Sequence, residues 1–219
     1  MDVDRIRDFC AERNYGFESS GSNPRLLLIG EVHSDESHFI AQEEMIKMIS
    51  PRAVLHEFYD STSKHLFSFV DKWEDGAHHY KMNHLGELSK KLGFDLLSGD
   101  IPFSEQSSLS TGLDDLLIRR GYLDWPKELR GHNFMNSDIA YSEFYSRLMV
   151  EPIMGMKLRK ALDGCDGDVV GIYGGYHLRK DSQIHAVLSL DFPPLSDSDV
   201  FSSGDLKKVD YIWIDQDLD

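Results

Sequence analysis

The chain has 219 residues, 41% of them hydrophobic and 11% aromatic, enough to fill the core of one α/β domain carrying a helical elaboration. Its formal net charge of -15 repels phosphate backbones and anionic lipid surfaces, which argues against nucleic acid or membrane as partner. Two cysteines, Cys10 and Cys165, form no C-x-x-C pattern and no disulfide framework, no leader-like apolar stretch opens the chain, and no run approaches the ~18 apolar residues of a membrane span. A cytoplasmic protein is the expectation.

In chain order, residues 2–14 read as a short amphipathic helix, with Val3, Ile6, Phe9 and Cys10 on one face, and 16–24 as a loop. Arg25–Ile29 is a continuous apolar run ending at Gly30, the pattern of a buried parallel strand. A helix is expected over 36–50, a second strand over 52–56 ending at Glu57, and helices over 61–73 and 79–92. A third strand, 94–98, is closed by Gly99-Asp100; a fourth, 168–173, by Gly174; a helix follows over 178–189, then a last strand over 209–214. Strands alternating with helices predict a single α/β domain over 1–219 with a central, mostly parallel sheet. The stretch from about 104 to 164 breaks the alternation, with helical pieces at 113–120 and 134–163, the second interrupted at Pro152; it reads as a helical insertion or cap. Residues 191–205 form an acidic, Pro/Ser-rich loop.

Chemistry concentrates where these strands end. In open α/β sheets ligands bind beyond the carboxyl ends of the strands. The first strand ends in Gly30-Glu31-Val32-His33, the second in Glu57, the third in Asp100 and the fourth in Gly174-Gly175-Tyr176-His177. The two Gly-x-x-His segments place glycines where a chain turns sharply and supply imidazoles that titrate near neutrality or bind metals. A carboxylate completes a two-His metal set, orients an imidazole, or takes a proton from water. His33, Glu57 and His177 suit either a divalent ion such as manganese, cobalt or zinc or, without metal, a His/Glu set holding a water; with Glu31 they form the expected catalytic group, Glu31 or Glu57 acting as base. Asp100 reads first as a turn-forming residue and second as a substrate-binding one, and Tyr176 as a substrate contact or a packing group. His56 should point to the opposite face of its strand from Glu57. His78, His79 and His84 read as a surface patch, and Met135, Met149, Met154 and Met156 as packing residues of the cap. No Walker-type loop or G-x-G-x-x-G follows the first strand, so nucleotide binding is not expected.

The segments Leu-Leu-Leu-Ile-Gly-Glu-Val-His (26–33), Ala-Val-Leu-His-Glu (53–57) and Gly-Ile-Tyr-Gly-Gly-Tyr-His (171–177) resemble the TraB, Tiki, ChaN-like and erythromycin-esterase-like superfamily, in the same order and across most of the chain. The resemblance implies an α/β fold with a helical insertion and a hydrolytic site at His33, Glu57 and His177 acting on a peptide or small ester, metal-dependent in Tiki-like members. It implies haem binding as the alternative, as in ChaN-like members, or a non-catalytic regulator. Many relatives carry an Arg-Asn or Arg-Asp pair on the inserted helices. Here His132-Asn133 stands at that place, with Arg130 two residues earlier, so Arg130, His132 and Asn133 are the expected substrate-binding group. Loss of an Arg there would remove a bidentate anion clamp.

Overall fold

A computed structural model of the chain describes residues 1–32, 35–60, 65–66, 77–101, 119, 149–189 and 208–216. The expected insertion is described only at residue 119 and from 149 onward. The 113–120 helix apart from residue 119, the 134–163 helix before 149, Met135 and the 191–205 loop lie outside the described residues.

Six strands form one sheet: β1 (Gly16–Ser19), β2 (Leu26–Glu31), β3 (Ala53–His56), β6 (Asp95–Ser98), β7 (Val169–Gly174) and β8 (Tyr211–Asp215), in the spatial order β1-β8-β2-β7-β3-β6. All neighbouring pairs are parallel except β1 with β8. A separate antiparallel pair joins β4 (Tyr59–Asp60) to β5 (His65–Leu66), so residues 65–66 are strand where a helix was expected over 61–73; 61–64 and 67–73 lie outside the described residues. Five α-helices are described: α1 (Val3–Arg13), α2 (Glu36–Ile49), α3 (Ala77–Leu92), α4 (Glu151–Asp163) and α5 (Gln183–Ser189). The expected α/β architecture, with a mostly parallel central sheet flanked by helices, is present.

The local reasons are legible. Asp2 caps α1 by accepting the Arg5 N–H at 3.1 Å, and Asp35 caps α2 by accepting the Ser37 N–H at 2.8 Å. Pro152 sits in the first turn of α4, where a missing N–H is harmless; the sequence reading placed it inside a longer helix, whereas it opens this one after a π-type turn at 149–150. The helix expected over 178–189 is split into a 3-10 turn, Gly175–Leu178, and α5. Residues 16–19, read as loop, are the edge strand β1.

The period-2 pleat sends alternate residues of each strand to opposite faces. Leu26, Leu28, Leu55, Val169 and Tyr173 pack under α4 and α5 with Met154, Leu158 and Ile184. Leu27, Ile29, Val54, Val170 and Ile172 pack on the other face against Ile6, Met45, Ile46 and Leu88 of α1, α2 and α3. Met154 is fully buried and Met149 packs on the first cluster, as expected for packing residues, whereas Met156 is exposed. Neither Gly30 nor Gly174 forms the expected sharp turn: Gly30 lies within β2, Gly174 closes β7, and the positive-φ glycine among the described residues is Gly93. No described helix is long and apolar enough to cross a membrane.

The chain leaves the ends of β2 and β3 toward the α1–α3 face and the end of β7 toward the α4–α5 face. The carboxyl end of β7 is therefore flanked on both sides by strands whose chains depart to the opposite layer. That is where ligand crevices form in such sheets.

Candidate active site

Because β2, β7, β3 and β6 are consecutive neighbours, the four strand ends singled out in the sequence lie side by side. The pleat then divides their polar groups into two sets.

On the α4–α5 face, Glu57 follows β3 and reaches across to β7. Its Oε2 accepts the Gly174 N–H at 2.7 Å, and its Oε1 lies 3.5 Å from His177 Nε2. The other ring nitrogen, His177 Nδ1, lies 3.7 Å from Oε1 of Glu151, a fully buried carboxylate in the first turn of α4. Glu151 Oε2 accepts the Gln183 N–H of α5 at 2.8 Å, and the Ser182 hydroxyl donates to the His177 carbonyl at 2.5 Å, so the turn carrying His177 is tied to both helices. Burial by itself would lower the His177 pKa; Glu57, Glu151 and Asp100 overcome it and raise the imidazole to about 10. At neutral pH this ring is an imidazolium held between two carboxylates. Glu151 is drawn the opposite way: its burial opposes ionisation, but contact with His177 and the Gln183 N–H holds it below the usual range.

Asp100, after β6, joins the same set. It is buried, and burial first and the Glu57 charge second raise its pKa to about 7. Its Oδ1 accepts the Ile101 N–H at 2.5 Å, so the turn role foreseen for it is present beside an unusual protonation state. Its closeness to β3 depends on Gly99. A Cβ at that position would lie 2.8 Å from the His56 carbonyl carbon, nearer than carbon atoms approach. Lys157 of α4 donates to the Asp100 carbonyl, and the Tyr173 hydroxyl donates to the Gly99 carbonyl at 3.4 Å.

On the opposite face, Glu31 is buried beneath α2. Gln42 Nε2 donates to Glu31 Oε2 at 2.5 Å and to Gln216 Oε1 at 3.1 Å. His56 Nδ1 accepts the Phe58 N–H at 3.1 Å, which puts the ring proton of the neutral form on Nε2, 3.7 Å from Glu31 Oε1. His56 thus lies on the face opposite Glu57, as the pleat required. Glu31 belongs to this interior network and not to the Glu57–His177 set, although the sequence grouped them.

A cleft of about 440 Å³ opens at the ends of β8, β2 and β7, where Tyr176, Arg179 and Asp215 stand around the backbone of Gly174 and Gly175. Tyr176 is exposed, and its ring meets that of His177 edge-on at 5.5 Å between centroids. The Arg179 guanidinium lies 3.8 Å over the face of Tyr176. On the far side of the molecule His84 of α3 contacts Glu43 of α2, and the side chains of His78 and His79 lie outside the described residues.

The sequence reading thus placed Glu57, His177, Asp100 and Tyr176 correctly at one end of the sheet. It missed Glu151, Lys157 and Arg179. Glu151 left one signal, a carboxylate immediately before a helix-opening proline. His33, Arg130, His132 and Asn133 lie outside the described residues. Among the described residues no three His, Cys, Asp or Glu side chains converge on a point that could hold a metal. Both ring nitrogens of His177 already face carboxylates, so the described residues do not by themselves fit a metal ion. Comparison with protein-family models, curated proteins and solved structures returns no match for this chain.

Proposed function

We propose that the chain is a hydrolase that activates water for attack on a peptide or ester carbonyl, with His177 as acid and Asp100 as base. The observation that carries this reading is the pairing of an imidazolium raised to about 10 with a carboxyl raised to about 7, each within the other's electrostatic influence, at the carboxyl ends of β7 and β6 on either side of β3. Two titratable groups whose environments separate their roles in this way are the usual basis of acid–base chemistry near neutrality. The resemblance of residues 26–33, 53–57 and 171–177 to the TraB, Tiki and erythromycin-esterase-like proteins points in the same direction.

In this mechanism water attacks the carbonyl carbon and passes a proton to the ionised Asp100. The bond from carbon to the amine or alcohol breaks, and His177 gives its proton to the departing group. Glu57 and Glu151 hold the imidazolium in place, and the proton that Asp100 took from water passes back to His177 through solvent after product release, so both groups return to their starting forms. Glu31, on the other face, supports the end of β3 through His56. The divalent ion (manganese, cobalt or zinc) expected on His33, Glu57 and His177 is not part of this proposal, because an imidazolium flanked by two carboxylates has no lone pair left to ligate it.

The test is a panel of chromogenic esters and short peptides offered to the wild-type chain, His177→Ala and Glu57→Gln, with and without each of the three ions. Turnover by the wild type, reduced about 100-fold or more in both variants, supports the reading, since acid–base groups contribute on the order of 10²–10⁴. Absence of turnover on every substrate overturns it. A Soret band on adding haem would then favour the ligand-binding alternative.

A further inference from the structure

We propose that His185 is a positioning residue for His177: it braces the turn that carries the imidazolium against β8 and so keeps that ring between Glu57 and Glu151. The proposal rests on the hydrolase reading only for its effect on turnover; the brace itself stands on the hydrogen bonds at His185.

His177 sits in the short 3-10 turn Gly175–Leu178, where hydrogen-bond geometry is poorer than in an α-helix and outside contacts set the shape. Two side chains fix the peptide groups that follow it. The Ser182 hydroxyl donates to the His177 carbonyl at 2.5 Å and accepts the Ile184 N–H at 3.1 Å. One residue on, His185 Nε2 lies 3.0 Å from the Leu178 carbonyl oxygen. A carbonyl only accepts, so Nε2 carries the ring proton. That leaves Nδ1 to accept from the Tyr211 hydroxyl, 3.0 Å away. Burial holds the His185 pKa below the usual histidine value, against the opposing pull of the Leu178 carbonyl, Glu18 and Glu151, so the ring is neutral and this donor–acceptor pattern is the one present at neutral pH.

Tyr211 opens β8, so the relay Tyr211–His185–Leu178 runs from β8 to the turn after β7, past the intervening β2. Aromatic neighbours hold His185 in this relay. Its ring stacks on Tyr211, 5.5 Å between centroids and 24° between planes, and lies 4.9 Å from the ring of Trp213; all three side chains are buried. A ring clamped in this way offers its N–H in one direction. The need for a brace is set by distance. The two ring nitrogens of His177 stand 3.5 and 3.7 Å from carboxylate oxygens of Glu57 and Glu151, which sit on different elements. A shift of about 1 Å in the turn would break one of these contacts while leaving the fold intact. Misplacement of that size costs on the order of 10²-fold in rate at a catalytic group.

The test compares His185→Leu, which removes the donor, with His185→Gln, whose side-chain amide can donate to the Leu178 carbonyl in its place. Ring-nitrogen resonances of His177 at neutral pH, assigned by their loss in His177→Ala, report its contacts with Glu57 and Glu151 whether or not any substrate is turned over. They should move in His185→Leu and stay near their wild-type positions in His185→Gln, with circular dichroism showing both chains folded. Should His185→Leu fail to fold, Tyr211→Phe, which deletes a single oxygen, takes its place and should move the same resonances. Resonances that stay put in the folded His185→Leu or Tyr211→Phe chain overturn the proposal, as does an equal movement in His185→Gln. For a substrate that the wild type hydrolyses, His185→Leu should lower kcat about tenfold or more and leave KM within about threefold, since positioning acts on the transition state and not on ground-state binding. A rise in KM at unchanged kcat overturns the proposal. Moved resonances in a chain that turns over no substrate would keep the brace and defeat the hydrolase reading. Turnover by the wild type with resonances unmoved in the folded variant would do the opposite.

Discussion

Replacing Glu57 by Gln should return His177 toward an ordinary histidine. In the wild type the imidazole is raised from 6.5 to about 10 against the effect of its own burial, by Glu57, Glu151 and Asp100. At about 1.36 kcal/mol per pH unit that difference corresponds to roughly 5 kcal/mol of preference for the charged form in the folded state. The ring is 16% exposed and its nearest carboxylate oxygens stand at 3.5 and 3.7 Å, so solvent reduces the realised stabilisation to about 2–4 kcal/mol. Because the folded pKa lies above the unfolded one, this stabilisation is complete below about pH 6.5 and drains away as pH rises toward 10. Removal of the Glu57 charge takes away the largest of the raising influences, and the midpoint should fall by about two pH units. Carbon-detected imidazole resonances, with His177→Ala to assign the signal among ten histidines, give the midpoint directly. The wild-type signal should stay in its protonated position from pH 5 to 8.5 and move in Glu57→Gln within that range. A wild-type midpoint near 6.5, unchanged by the substitution, would refute the electrostatic reasoning.

Three further outcomes follow from the same geometry. Asp100→Asn should stabilise the fold by about 1–4 kcal/mol at pH 8, where the native chain carries a buried charge, and by little at pH 4, where Asp100 is protonated; urea melts at the two pH values measure this. Gly99→Ala should destabilise by about 1–3 kcal/mol, since its Cβ would meet the His56 backbone at 2.8 Å, and should lower the Asp100 pKa by letting water in; thermal melts and a pH series report the two effects. Glu31→Gln should keep at least a tenth of wild-type kcat/KM, while Glu57→Gln loses about 100-fold, because the two carboxylates act on opposite faces of the sheet.

Much of this arrangement was readable in the sequence, and the remainder has identifiable physical causes. The apolar runs at 26–29, 53–55 and 169–172 marked strands buried on both faces, and the polar residue after each run marked a site edge. Strand order was not readable: nothing local in residues 169–174 says that β7 inserts between β2 and β3, which is what brings His177 to Glu57. The separation of Glu31 from Glu57 follows from parity. Glu31 shares the face of Leu27 and Ile29, whereas Glu57 shares that of Leu55, and the end-of-strand argument ignored side. β1 was missed because four residues between punctuating Gly and Ser carry little pattern, and only pairing with β8 makes them a strand. Glu151 and Lys157 belong to the site through the packing of α4 on the sheet, a tertiary fact with no short-range signature.

The most direct test of the account is the pH dependence of kcat/KM for whichever peptide or ester the chain hydrolyses, measured beside His177→Ala. The account predicts a bell-shaped profile with limbs near 7 and 10, set by Asp100 losing and His177 keeping its proton, and near-complete loss of rate in the variant. A flat profile, or hydrolysis that survives in His177→Ala, would contradict it.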